Sequence, residues 1–182
     1  MNVYDFDKTI FPVDSTVAFW KYCVRRWPKC LRALPAALPF GIGYKLHICK
    51  LESFKGRFYR FLRYIPETAV TQFWDENIDR IFPWYLAQKR EDDLIISASP
   101  EFSIGEACRR LGVRFLASPV DQKTGKMLGA NCRAEEKVRR LDEAFPDAKV
   151  EQAYSDSHSD TPLALRAQEA FLVKKGVPTP WH

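Results

Sequence analysis

From residue 92 onward, short apolar runs alternate with amphipathic ones, and this alternation restricts the fold more than any other feature of the chain. "DLIIS" is an apolar run ending in serine. "PEFSIGEACRRLG" follows at helical spacing, with Pro100 near its first turn and Gly112 as its stop. "VRFLAS" is the next strand signal, and "DQKTGK" has the turn chemistry of a hairpin. "AEEKVRRLDEAF" reads as a helix, "VEQAYSDS" ends a strand in polar residues, and "AFLV" is a last strand. Strands separated by helices pair in parallel, so the expected class is α/β, a Rossmann-like, mostly parallel sheet with helices on its faces. Sites in such sheets form at the carboxyl ends of the strands.

The first residues add one more strand, because Met1 to Tyr4 is apolar except for Asn2 and Pro12 closes the stretch. Residues 14–90 differ in composition and look helical. Asp14 or Ser15 can cap a helix carrying Val17, Phe19, Trp20, Cys23 and Val24. Residues 21–63 hold eleven Lys or Arg against one acid, Glu52, a local net of +10. Within them "ALPAALPFGIGY" carries no charge, but it is too short and too rich in Pro and Gly to span a bilayer. Phe54, Phe58, Phe61 and Tyr64 recur at helical spacing. They read first as a helix packing face. The sharper reading is a surface that meets lipid with apolar groups while Lys and Arg meet phosphates.

A chain of 182 residues allows one domain, or one core with an inserted subdomain. Its 46% hydrophobic and 28% charged residues are those of a soluble globular protein. A net charge of +5 favours anionic partners: phosphorylated metabolites, lipid headgroups or nucleic acid. The five cysteines are odd in number and irregular in spacing, as expected of reduced thiols in a cytoplasmic protein. Asp5 and Asp7 interrupt the region where a signal peptide's apolar core would lie, and no run of about 18 uncharged apolar residues suggests a spanning helix.

The polar groups at the strand ends carry the chemistry. Asp5 and Asp7 follow the first strand, Ser97 follows "DLII", and Asp156 and Asp160 follow "VEQAY". A parallel sheet delivers all of them to one edge, and Lys137 stands on a helix between them in sequence. Such a set suits phosphoryl transfer. A carboxylate attacks phosphorus to form a covalent intermediate. Mg²⁺, held by carboxylates and substrate phosphate, screens the repulsion, and a lysine screens it further. A second carboxylate serves as general acid and base.

These stretches resemble the four motifs of the haloacid dehalogenase superfamily of phosphatases. "DFDKT" looks like its first motif, "LIISAS" its second, Lys137 in "NCRAEEKVRRL" its third and "YSDSHSD" its fourth, all in the family's order. "SASPE", "EEKV", "YSDSHSDTPL" and the hairpin most resemble the phosphoserine phosphatase-like branch, which includes bacterial phosphatidylglycerophosphate phosphatases. Ser155 stands where many members carry glycine, a tolerable departure because serine is small.

The resemblance implies a phosphatase core formed by residues 1–13 and 91–182, with 14–90 as an inserted helical cap. It implies Asp5 as nucleophile and metal ligand. Asp7 becomes the general acid/base and a metal ligand through its backbone carbonyl. Thr9 supports the loop on the substrate side, and Ser97 with the Ala98 amide holds the phosphate. Lys137 steadies Asp5 and the phosphate, while Asp156 and Asp160 bind Mg²⁺. The implied activity is Mg²⁺-dependent hydrolysis of a phosphomonoester, either a phosphorylated metabolite or a lipid phosphate. The alternatives are phosphotransfer to an alcohol through the same intermediate, and a non-catalytic module binding anionic membrane. Peripheral contact with such a membrane is expected of residues 21–63, and nucleic acid is not an expected partner. "CRRLGVR" matches the Cys-x5-Arg spacing of cysteine phosphatases, but Cys108 falls inside an amphipathic helix and reads as a core residue.

Overall fold

The sheet has six strands in the order β3-β2-β1-β4-β5-β6. The computed structural model describes all 182 residues. Strand β1 (Val3–Tyr4) is central and pairs in parallel with β2 (Leu94–Pro100) and β4 (Val150–Ser155). Strand β3 (Arg114–Ser118) extends the sheet beyond β2. Strand β5 (Ala167–Lys174) extends it beyond β4, and β6 (Val177–Pro180) closes that edge antiparallel. From β1 the chain runs to β2 and β3 on one side and to β4 and β5 on the other. The connections therefore diverge at the carboxyl end of β1, where a doubly wound sheet opens a crevice.

Between β1 and β2 the insert is wholly helical. It contains α1 (Ser15–Arg26), α2 (Leu34–Lys45), α3 (Leu51–Phe58), α4 (Ala69–Asp75) and α5 (Pro83–Gln88), joined by 3-10 turns at Pro28–Ala33, Tyr59–Tyr64 and Ile78–Arg80. Asp14 rather than Ser15 caps α1, its carboxylate accepting from the Val17 amide at 2.8 Å. Helix α6 (Glu101–Leu111) crosses from β2 to β3 and stops at Gly112, whose φ of +63° favours glycine. Helix α7 (Glu135–Ala144) precedes β4, and the short α8 (Thr161–Ala164) precedes β5.

Two apolar clusters lie against the sheet, and the alternation along its strands sorts them. Tyr4 and Ile95 enter a cluster of 26 buried residues that also holds Ile104, Ala107 and Cys108 of α6 and Phe19, Phe73 and Trp74 of the insert. Val3, Leu94 and Ile96 point the other way, to Leu141 of α7 and Leu163 of α8. The insert thus shares the larger core with the sheet. Tyr4, Tyr154 and Phe171, on three adjacent strands, stack at centroid spacings of 4.8 Å.

Three local expectations differ from the structure. The spacing of Phe54, Phe58, Phe61 and Tyr64 does not mark one helix. The α-helix ends at Phe58, and the tighter turn that follows buries Phe61 but leaves Tyr64 exposed. "AFLV" is not the last strand, because Lys175 and Gly176 turn the chain at positive φ and β6 returns along β5. The "DQKTGK" turn forms without a ladder, since a single bridge joins Val120 to Met127.

Candidate active site

Asp5 leaves the end of β1 with its backbone still paired, its amide donating to Tyr154 O at 2.8 Å. The chain then curls so that Phe6 O accepts from the Ile10 and Phe11 amides at 3.1 and 3.0 Å. Phe6, Ile10 and Phe11 anchor this curl in the large core. Asp5 and Asp7, flanking Phe6, line a cleft of about 190 Å³ at the sheet edge. Lys8 takes a left-handed φ of +58° to complete the turn.

The same cleft is lined by Ser97 and Ala98 within the C-terminal half of β2, Lys137 on α7, and Asp156 and Asp160 after β4. Thr9 is the exception among the residues named from the sequence. It is fully buried behind the loop, its hydroxyl 3.4 Å from Asp5 Oδ2, and the structure does not bring it to the cleft. The Ser97 hydroxyl accepts from the Ser99 amide at 3.1 Å. Here β2 slips register against β3, between Ser97 and Pro100, and the bulge opens the backbone at Ala98.

Lys137 organises the charges. Its buried Nζ donates to Asp5 Oδ1 at 2.6 Å and to Asp160 Oδ2 at 2.7 Å. Ser155 adds a donor to Asp160 Oδ2 at 2.7 Å, so the hydroxyl at the position where glycine was expected has a partner. Burial works against the charge on Lys137, but the two carboxylates outweigh it and raise the ammonium's pKa. Burial pushes the Asp5 carboxyl up to about 7, with Lys137 pulling it down and Asp160 adding to the rise. Asp7 is pushed up to about 6 by burial and by Asp14. Its two oxygens accept from the Ser15 amide at 2.8 Å and the Ser99 hydroxyl at 2.5 Å. Two carboxylates on one loop are thus held differently, Asp5 by an ammonium and Asp7 by neutral donors.

Sequence reasoning missed several groups. Lys8, Asp14 and Arg133 also line the cleft. Arg133 lies in the same "NCRAEEKV" stretch as Lys137, so its neighbourhood was visible but its direction was not. Lys55, on α3 of the insert, donates to Ala98 O at 2.9 Å and Asn131 Oδ1 at 2.7 Å, and burial lowers its pKa. Ser118 Oγ lies 2.9 Å from the same Ala98 carbonyl. No spacing rule links residues 43 positions apart. Cys108 is fully buried in α6 and burial raises its thiol pKa, which agrees with a core role.

The donors that could meet a cation are hard oxygens, which suit Mg²⁺ better than a softer metal. The carboxylates do not form a ready-made metal cluster. The Lys137 ammonium stands between Asp5 and Asp160, so a cation joining Asp5, Asp156 and the Asp7 carbonyl would share Asp5 with Lys137.

Residues 3–165 match the family model of haloacid dehalogenase-like hydrolases. The chain belongs to this family. A relative, Protein CicA of Caulobacter vibrioides, is 30% identical over 192 residues, covering 96% of this chain and 86% of its own. Among solved structures, a protein of unknown function from Bordetella pertussis Tohama I superposes with a TM-score of 0.74 at 18% identity, over 93% of this chain and 87% of its own. A probable phosphoserine phosphatase from Vibrio cholerae gives a TM-score of 0.66 at 15% identity, over 93% of this chain and 55% of its own. At such identities these likenesses establish the fold alone. By family the chain is a haloacid dehalogenase-like hydrolase.

Proposed function

We propose that the chain hydrolyses phosphomonoesters through a phosphoryl group carried on Asp5. The observation that carries the proposal is the fixed approach of Lys137 Nζ to Asp5 Oδ1, 2.6 Å, within a cleft that also presents Asp7, Ser97 and Asp156. Asp5 Oδ2 attacks phosphorus as the ester oxygen leaves. Asp7, whose raised pKa favours holding a proton, donates it to that oxygen and then accepts one from the water that attacks the acyl phosphate. Ser97 and the Ala98 amide hold the phosphate, and Lys137 orients Asp5 and opposes the rise in its pKa that burial causes. Mg²⁺, bound by Asp5, Asp156, Asp160 and the Asp7 carbonyl, would screen the phosphate charge from Asp5. Residues 1–13 and 91–182 then form the catalytic core, and 14–90 form a cap that selects the leaving group. A small phosphorylated substrate is the expected class. Phosphotransfer to an alcohol would use the same intermediate.

The test is hydrolysis of an aryl phosphate with Mg²⁺, with chelator, and by Asp5→Asn. Turnover should require the cation and fall on the order of a thousandfold or more in the variant. Turnover close to the native rate in Asp5→Asn would refute the nucleophile. We also infer that residues 21–63 contact an anionic membrane, a reading favoured by their eleven cations against one acid.

A further inference from the structure

We propose that the turn joining α2 to α3, with the apolar groove beside it, is a docking surface for an anionic phospholipid leaflet. This deepens the membrane reading above by naming the surface that carries it, and it does not depend on the chemistry in the cleft. Ile42, Leu46 and Ile48 are 60%, 62% and 77% exposed, and Leu38 is 59% exposed one turn before Ile42. Single exposed apolar residues are ordinary, but four close together in sequence form a patch that water disfavours. Lys45 and Lys50 flank the tip formed by residues 46–49.

The tip is built rather than slack. His47 takes a left-handed φ of +57°, and the Ile48 and Cys49 amides both donate to Gly43 O, at 2.7 and 3.3 Å. This turn ends α2 in the manner of a left-handed cap and holds the exposed side chains in one arrangement. Cys49 Sγ reaches back to Phe40 O at 3.1 Å. Beside the tip lies a groove of about 490 Å³, walled by Trp20, Ala37, Gly41, Phe54 and Phe58 and bordered by Lys45. Its lining is almost entirely apolar, which suits hydrocarbon.

Charge selects the occupant. A second copy paired through this face would bring like charges together, because residues 21–63 hold one acid, Glu52, against eleven cations. An anionic leaflet offers apolar contact and opposite charge at once. Lys55, on the α3 helix that follows the tip, donates to the Ala98 carbonyl, so docking would bring the cleft near the membrane surface.

The experiment compares binding of the full chain to vesicles of phosphatidylcholine alone and of phosphatidylcholine with phosphatidylglycerol, at low and high salt. Binding is scored by sedimentation, without turnover, so a failure here is distinct from a failure of the phosphatase reading. The expected result is binding to the anionic vesicles only, weakened by salt and reduced by at least about tenfold in Ile42→Asp/Ile48→Asp. Val177→Asp, which removes an exposed valine on β6, should bind like the native chain. Circular dichroism and thermal melting verify that both variants are folded. Equal binding to neutral vesicles, or native-like binding by the double variant, would overturn the proposal. So would self-association abolished by the double variant with no vesicle binding, which would assign the surface to a second copy.

Discussion

Replacing Lys137 with methionine would leave the buried carboxylates of Asp5 and Asp160 without their shared cation. Breaking a buried pair from one side costs about 3–5 kcal/mol, so Lys137→Met should lose about that much stability in urea denaturation as well as activity. A loss below about 1 kcal/mol would mean that the carboxyls simply take up protons. The raised carboxyl pKa values have their own consequence. Asp5 and Asp7 bind protons more tightly in the folded chain than at their ordinary 3.8. Between about pH 4 and 7 the folded state therefore holds more protons than the unfolded one, and stability of the metal-free chain should fall as pH rises through that window. Glu136 and Glu151, held down to about 2 by Arg139 and Arg90 respectively, act oppositely, but below pH 4.5. Denaturation midpoints with chelator and with Mg²⁺ test this. A bound cation favours the ionised carboxylates, so Mg²⁺ should flatten the slope.

At the scale of elements, α7 matters because it carries Lys137, and its entry is strained. Ala134, its N-cap residue, has φ +53° and ψ −125°, a region that only glycine enters cheaply. Ala134→Gly should stabilise the chain by about 1 kcal/mol, the relieved strain of about 1–3 kcal/mol being partly offset by glycine's greater freedom when unfolded. A thermal melt decides it, and a lowered midpoint would mean that the alanine side chain contributes packing worth more than the strain. The β2 bulge is the second element that shapes the site. Its serine was legible from the sequence as a strand ending, but the slipped register that opens Ala98 to the cleft follows from pairing with β3.

At the scale of the molecule, the turn after β3 that the Val120–Met127 bridge closes clasps the insert. Arg63 Nε donates to Thr124 O at 3.3 Å, Gln122 Nε2 to Glu67 O at 3.0 Å, and Lys123 pairs with Glu67. Gly125 sits at the contact with φ +72°, and a Cβ there would stand 2.2 Å from Tyr59 O. Gly125→Ala should cost about 2 kcal/mol or more, because strain and a backbone clash combine. Gly112→Ala is the control, since Gly112 has a similar φ but open space around it, so only the strain of about 1 kcal/mol applies. Equal losses in the two variants, read from urea denaturation, would show that the clasp contributes nothing.

The sequence alone determined what is local or periodic. Apolar runs and helical spacing specified the strands and helices around the sheet, and polar residues at strand ends marked Asp5, Ser97, Asp156 and Asp160 as one edge. Its resemblance to a known family named the reaction class. Tertiary structure alone decided what depends on direction and on distant partners. It set Thr9 behind the loop, turned Arg133 into the cleft, and brought Lys55 to the Ala98 carbonyl across 43 positions of chain. It also broke the aromatic series 54, 58, 61 and 64 at Tyr59 and returned β6 along β5. Periodicity reports which face a residue shares with its neighbours along the chain. Which face meets which is settled only when the elements pack, because burial and hydrogen-bond satisfaction are properties of the whole chain.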